Sequence, residues 1–215
     1  MEFETELNDV LPTDLPNRDA VVAKCSAHLT LIAEGNEYMN LTRIVSPREA
    51  AIKHVLDSLI PWRLFDGAKH VLDAGTGAGF PGIPLALVLP EMRFTLVESI
   101  QKKARFVESA VKALELKNVT VATRRAEEFD KGIDIVTARA FAPLEKALEY
   151  LGPALKSGAK ALLYKGPDAA HEITAAERIL KKLKARAQVV MTYELPEAAG
   201  SRTMISVERD QTRHP

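Results

Sequence analysis

Residues 71–84 read VLDAGTGAGFPGIP, and this stretch limits the fold more than any other part of the chain. A short apolar run ends at Asp73. Glycines follow at positions 75, 77, 79 and 82, and prolines at 81 and 84 open the apolar stretch LALVL. That order is strand, glycine turn, helix start. Glycine permits a sharp turn and lets a ligand approach bare backbone. The N–H groups that open a helix lack intrahelical partners and face whatever the turn holds. The turn therefore predicts a nucleotide-like cofactor.

From Lys69 onward strand and helix patterns alternate. Apolar runs predict strands over 70–74, 93–98, 119–122, 133–138 and 159–164, with helices over 81–89, 100–116, 143–151 and 168–184. Such alternation implies a parallel sheet covered on both faces. Two further strand-like runs, 188–194 and 203–208, are joined by LPEAAGSR, which is too short for a crossover helix, so they should be antiparallel neighbours. The fold class is α/β: a Rossmann-like, mostly parallel sheet with an antiparallel C-terminal hairpin, the class I methyltransferase arrangement. Residues 1–65 carry no strand signal. Val21, Val22, Cys25, Leu29 and Ile32 recur at helical spacing after Pro16. Ser46-Pro47-Arg48-Glu49 reads as a helix start with a capping box, running to about Leu59. The expected division is an N-terminal helical appendage over 1–65, a methyltransferase domain over 66–209 and a polar tail over 210–215.

Bulk properties narrow the classes. A chain of 215 residues, 47% hydrophobic, suffices for one domain with a real core. The single cysteine, Cys25, excludes an intramolecular disulfide and reads as a small core residue. Histidines at 28, 54, 70, 171 and 214 show no metal-ligand spacing, so no metal is expected. No apolar run approaches the roughly 18 residues of a membrane helix, and the opening MEFETEL is acidic. A cytoplasmic protein with no membrane partner is expected. A formal net charge of zero argues against indiscriminate nucleic-acid binding but permits a local basic patch. The basic run over 178–186 reads as a solvated helix face.

Gly77-Ala-Gly79-Phe-Pro-Gly82 also satisfies the dinucleotide G-x-G-x-x-G pattern. Three features favour S-adenosyl-L-methionine instead. Asp73 would repel a pyrophosphate but suits an amino group. Pro81 and Pro84 remove N–H donors that a diphosphate would need. The terminal hairpin is not expected of a plain dinucleotide fold. Glu98, at the end of the second strand, suits ribose hydroxyls in either class.

VLDAGTGAGFPGIPLAL, with FTLVES, RRAEEF, TARAFAPL, LLYKG and the earlier NLTRI and KHVLDSL, resembles the RsmG (GidB) family of 16S rRNA guanine-N7 methyltransferases across roughly residues 36–208. The resemblance implies that Gly75 and Phe80 contact S-adenosylmethionine along the turn of Asp73, Gly77 and Gly79. It further implies that Glu98 binds the ribose, that Ala126 and Glu127 flank the adenine, and that Arg139 closes the site as a positioning residue. The partner implied is 16S rRNA or the small ribosomal subunit, modified in its decoding-region loop.

Guanine N7 is an unprotonated lone pair, so its methylation needs alignment and no general base. His54 and Asp57, three apart on a helix, read as a pair that is either catalytic or a structural hydrogen bond. Phe141, Tyr164 and Lys165 are candidates to hold an extruded base, Phe141 reading equally as core. Arg124, Arg125, Lys165 and Arg202 are candidates for RNA phosphates, with Lys102 and Lys103 nearby. Two other functions stay open at this point: a methyltransferase of the same fold acting on another RNA, a protein or a small molecule, and a non-catalytic dinucleotide-binding regulator.

Overall fold

A computed structural model describes residues 2–210; most of the expected tail, with His214, lies outside the described residues. Strands β1 (His70–Ala74), β2 (Arg93–Val97), β3 (Val119–Ala122), β4 (Ile135–Arg139), β5 (Lys160–Lys165), β6 (Ala185–Leu195) and β7 (Gly200–Arg209) form one sheet in the order β3-β2-β1-β4-β5-β7-β6. The first five pair in parallel. Strand β7 lies antiparallel between β5 and β6. The expected hairpin is present and longer at both ends than the apolar runs indicate, because its outer positions alternate with exposed polar residues. The strand order reverses between β1 and β4. In open α/β sheets the crevice at the carboxyl ends of such a pair takes the ligand.

The helices are α1 (Glu2–Val10), α2 (Arg18–Asn36), α3 (Pro47–Ala50), α4 (Asp57–Leu59), α5 (Gly82–Val88), α6 (Gln101–Ala113), α7 (Leu144–Lys156), α8 (Ala169–Ala175) and α9 (Glu177–Leu183). The helix expected over 168–184 is broken at Ala176. That residue is fully buried at φ −85°, ψ 0°, a turn that lets both Ala169 and Leu180 reach the core.

The helix expected over 46–59 also departs from its pattern. Ser46 makes no side-chain cap, and Glu49 turns to Lys53 Nζ at 2.5 Å, so the capping box does not form. Between α3 and α4 the segment Ala51–Leu56 is a π-helix. Asp57 N–H donates five residues back to Ile52 O, and Ile60 N–H returns to four-residue spacing at Leu56 O. A change of spacing leaves carbonyls short of helical donors. Side chains supply them: Arg139 Nη1 donates to Lys53 O at 3.1 Å and His54 O at 3.2 Å, and Ser58 Oγ donates to His54 O at 2.5 Å.

The N-terminal helices do not stand apart from the sheet. Leu7, Val22, Cys25, Leu29, Val55 and Leu59 share one apolar core with Leu85, Phe94, Leu96 and Met204. Cys25 is fully buried, as its neighbours indicated, and burial pushes its thiol up to about 12. A second core, on the other sheet face, joins Leu72, Val136 and Leu163 to Leu144, Leu148 and Leu180.

Polar groups fix how the first layer docks. His28 Nε2 donates to Ala78 O at 2.8 Å in the glycine turn. Its ring lies 4.9 Å from that of Phe80, which stacks on His54 at 4.6 Å and 11°. His54 Nε2 bonds Thr42 Oγ1 at 3.0 Å, and Tyr164 donates its hydroxyl to Ser58 O at 2.7 Å. Burial lowers His28 to about 4; burial, with the Arg139 charge adding, lowers His54 to about 3.

These shifts set a pH dependence. A histidine with a depressed folded pKa stabilises the fold fully above its unfolded value and loses that contribution as pH falls below it. The window here runs from about 6.5 down towards 4. Asp73, raised to about 6 chiefly by burial, acts in the opposite direction between about 6 and 4. With two histidines against one aspartate, urea melts at pH 5 should show the protein about 2–3 kcal/mol less stable than at pH 7.5. His54→Gln should flatten the profile; equal slopes in both proteins would contradict this assignment.

Candidate active site at the carboxyl edge of the sheet

The turn after β1 is built around Asp73. Its carboxylate is fully buried, and Oδ2 accepts from Thr76 Oγ1 at 2.6 Å and from Gly82 N–H at 2.9 Å. Asp73 is therefore the strut of the turn. The sequence reading set it beside a ligand amino group; only its Oδ1, which has no partner among the described residues, is left for that role. The helix start corrects a second expectation. Its N–H groups are not open to a ligand: Gly82 N–H goes to Asp73, Ile83 N–H to Gly79 O at 2.8 Å, and Pro81 and Pro84 have none. A diphosphate would find no free donor at the helix start, which counts against the dinucleotide reading and favours the S-adenosylmethionine one.

The glycines divide by what surrounds them. A Cβ on Gly82 would sit 2.2 Å from Leu96 Cδ2 and 2.7 Å from Asp73 Oδ2, so that glycine is required by packing. A Cβ on Gly77 would meet nothing nearer than Gly75 O at 4.0 Å, at φ +60°. Gly77 alone of the turn's glycines faces open space, where a ligand would approach. Two residues before it, Gly75 lines a pocket of about 210 Å³ together with Val97, Ser99, Ala126, Glu127 and Phe141, and with Arg124, Arg125 and Tyr150. Glu98 is buried; Oε1 accepts from Ile100 N–H at 2.8 Å, leaving the second oxygen for a hydroxyl. Ala126 and Glu127 lie on a short 3₁₀ turn, Ala126–Glu128. These residues fit S-adenosylmethionine: an adenine-sized recess, an acid at the ribose position and an open glycine edge.

A larger cleft of about 850 Å³ adjoins this pocket, and Phe141 lines both. One wall is the helical layer, through Ile44, Lys53, His54 and Asp57; the others are the loops after β4 and β5, and Arg202 of the hairpin. Phe141 packs edge-on against Tyr150 at 5.7 Å.

Asp57 is the centre of the charges in this cleft. Its side chain is 3% exposed and takes Arg139 Nη1 at 3.3 Å, Arg202 Nε at 3.4 Å and Tyr193 Oη at 2.9 Å. Arg139 also donates to Ser58 Oγ at 3.2 Å, and its guanidinium carbon lies 5.4 Å from the Phe80 ring centre. The partnership of His54 with Asp57 is absent: His54 turns to Thr42 and Asp57 to the arginines. Phe80, expected against the cofactor, is 5% exposed and holds the helical layer through its ring.

Of the expected base-holding residues, Phe141 faces the cleft. Tyr164 is 4% exposed with its hydroxyl committed to Ser58 O, so it supports the cleft floor and cannot stack on a base. Lys165, offered for phosphates too, donates to Glu172 Oε2 at 2.6 Å and Ala142 O at 2.7 Å with 10% exposure, so its charge is already answered. Arg124 and Arg125 are exposed on the rim of the smaller pocket and paired with Glu128 at 3.0 Å and Glu127 at 3.9 Å. Lys102 holds Tyr38 O at 2.7 Å. Sequence reasoning missed Tyr193 and Thr42, and also Asp168 and His171 in the cleft lining. These meet the site only through the fold, and no local pattern marks them.

The sequence profile of the GidB family, described as rRNA small subunit methyltransferase G, matches residues 22–200. The chain belongs to the GidB family. A relative from Solibacter usitatus named Ribosomal RNA small subunit methyltransferase G is 59% identical over 209 residues, covering 96% of this chain and all of that protein. A GidB relative of the same name from Desulfitobacterium hafniense is 38% identical over 200 residues, 90% of this chain and 83% of that protein. Among solved structures, an S-adenosylmethionine-dependent O-methyltransferase from Thermotoga maritima superposes with a TM-score of 0.57 at 20% identity, covering 85% of this chain and 73% of that one. A precorrin-6y C5,15-methyltransferase from Geobacter metallireducens superposes with 0.55 at 18%, covering 81% and 95%. At that identity the likeness concerns the fold: class I, Rossmann-like.

The two glycine environments separate binding from folding. Gly77→Val should lower the melting temperature through strain at φ +60° while leaving the protein folded, and abolish S-adenosylmethionine binding in calorimetry, because its side chain fills the ligand edge. Gly82→Ala should cost about 1–3 kcal/mol in urea melts through overpacking. Undiminished cofactor affinity in Gly77→Val would remove the turn from the site.

Proposed function

We propose that this chain transfers the methyl group of S-adenosylmethionine to N7 of a guanine in the decoding-region loop of 16S ribosomal RNA, in the cytoplasm. When bound, the cofactor supplies a methyl group on a positively charged sulfur. The observation that carries the acceptor assignment is the state of the cleft's bases. Among the described residues no cleft histidine is hydrogen-bonded to a carboxylate, and His54 is held neutral and bonded to Thr42. No histidine of the cleft is thus set up to take a proton, whereas a ring nitrogen with a free lone pair needs only to be placed. The naming of the 59% identical relative supports ribosomal RNA as the substrate.

Each residue then has a positional task. The Gly77 edge and the free Glu98 oxygen hold the cofactor, with Ala126 and Glu127 about its adenine. Phe141, at the junction of the two cavities, gives the extruded base a surface and helps exclude water. Arg139 keeps the helical wall at a fixed distance from β4. Arg202, and on the rim Arg124 and Arg125, face the side from which RNA phosphates would come. Protein-free rRNA and an assembly intermediate of the small subunit both fit an open cleft of this kind.

Labelled cofactor and small-subunit rRNA, followed by nucleoside analysis, test the reading: label should appear as 7-methylguanosine. Arg139→Ala should reduce the single-turnover rate by on the order of a hundredfold, since displacements of about 1 Å have that cost. Label in another nucleoside, or none, would contradict the proposal.

A further inference from the structure

Three carboxylates line the 850 Å³ cleft: Asp57, Asp168 and Glu172. Asp57 is committed to two arginines and a tyrosine. Glu172 accepts from Lys165 Nζ and from Leu144 N–H, both at 2.6 Å. Asp168 differs from both. It precedes α8 at the N-cap position, where an aspartate ordinarily spends its carboxylate on the first N–H groups of the helix. Here it makes no such bond: its backbone oxygen accepts from Glu172 N–H at 3.0 Å, while the side chain has no hydrogen bond or ion pair among the described residues. It is exposed, and it lies on the same lining as Phe141.

We infer that Asp168 reads the Watson–Crick edge of the acceptor purine, and so sets guanine against adenine. The inference rests on the guanine-N7 reading above. When N7 is directed at the sulfur, the opposite edge of the ring points away from it. In guanine that edge presents two adjacent donors, N1–H and the N2 amino group, and a carboxylate with two free oxygens accepts from both. Adenine presents an acceptor, N1, at the same place, and a carboxylate repels it. The cleft's cations cannot make this distinction. Arg139 and Arg202 offer donors only, and their carboxylate partner is already used. Among the described residues Asp168 is thus the one cleft carboxylate free to complement guanine, and Phe141 supplies the face against which the ring is held.

The test pairs a nucleobase change with a side-chain change. Small-subunit rRNA is prepared with the acceptor guanosine, with inosine, which lacks only the N2 amino group, or with 7-deazaguanosine, which lacks N7. The wild-type protein should lose roughly 10- to 100-fold in kcat/KM on inosine, the range of a hydrogen bond to a charged group. Asp168→Ala should be slow on guanosine and show no further loss on inosine, while its cofactor affinity by calorimetry stays at the wild-type value. Asp168→Asn, with one acceptor retained, should fall between. Wild-type protein indifferent to inosine, or Asp168→Ala retaining the full discrimination, would overturn the inference. Methylation of the 7-deaza substrate would instead sink the N7 reading on which it stands.

Discussion

The carboxylate of Asp57 joins three parts of the chain that are distant in sequence. Arg139 comes from the end of β4, Arg202 and Tyr193 from the two strands of the hairpin, and Asp57 itself from the helical layer. The pair is nearly dry, at 14% and 3% side-chain exposure, so removal of Asp57 would leave the Arg139 charge uncompensated at a cost of about 3–5 kcal/mol, whereas removal of Arg139 leaves Asp57 with Arg202 and Tyr193. The same contact shapes the larger cleft. Arg139 supplies donors to the carbonyls of the π-helix, and that wide turn presents His54 towards Phe80 and Asp57 towards the arginines. Stability and alignment therefore rest on one set of bonds, and π-turns are found often at functional sites.

A second buried acid, Asp73, performs the corresponding task at the glycine turn. By taking Gly82 N–H it ties the helix start to the strand end and occupies the donor that a phosphate would have used. The turn is thereby specialised: its open edge is at Gly77 and its closed edges face Leu96, Ile83 and Phe141. Phe141 is in contact distance of both cavities because Gly75 has no side chain; a Cβ there would lie 2.6 Å from the ring. The geometry suits a direct displacement, in which the protein's contribution is to hold three atoms in line and keep water out.

Much of this was legible in the sequence. The buried parallel strands are near-continuous apolar runs, which need no partner to be recognised. The hairpin followed from a connection too short to cross over. The glycine turn, Glu98 and Arg139 fell on the strand ends where they were expected. Other features depend on the fold. The π-turn is hidden because residues 46–59 keep an apolar spacing that serves a wide turn as well as an α-helix. Lys165 looks like a surface cation until Glu172, seven residues on, is folded back on it. Tyr164 looks available to a base until the helical layer takes its hydroxyl. Asp168 carries no mark in the sequence, and only its place in the cleft lining without a capping bond shows that its carboxylate is free.

The central claim is that this site works by placing an acceptor that needs no proton removed. The most direct measurement is the single-turnover rate of rRNA methylation across pH 5.5 to 9 at saturating cofactor. The account expects a flat profile once any loss of folded protein at the acid end is corrected for, and flat profiles also in His54→Ala and His171→Ala. An acid limb in the wild-type protein that disappears in either variant, together with a large loss of rate, would show base catalysis at a protonated acceptor and contradict the account.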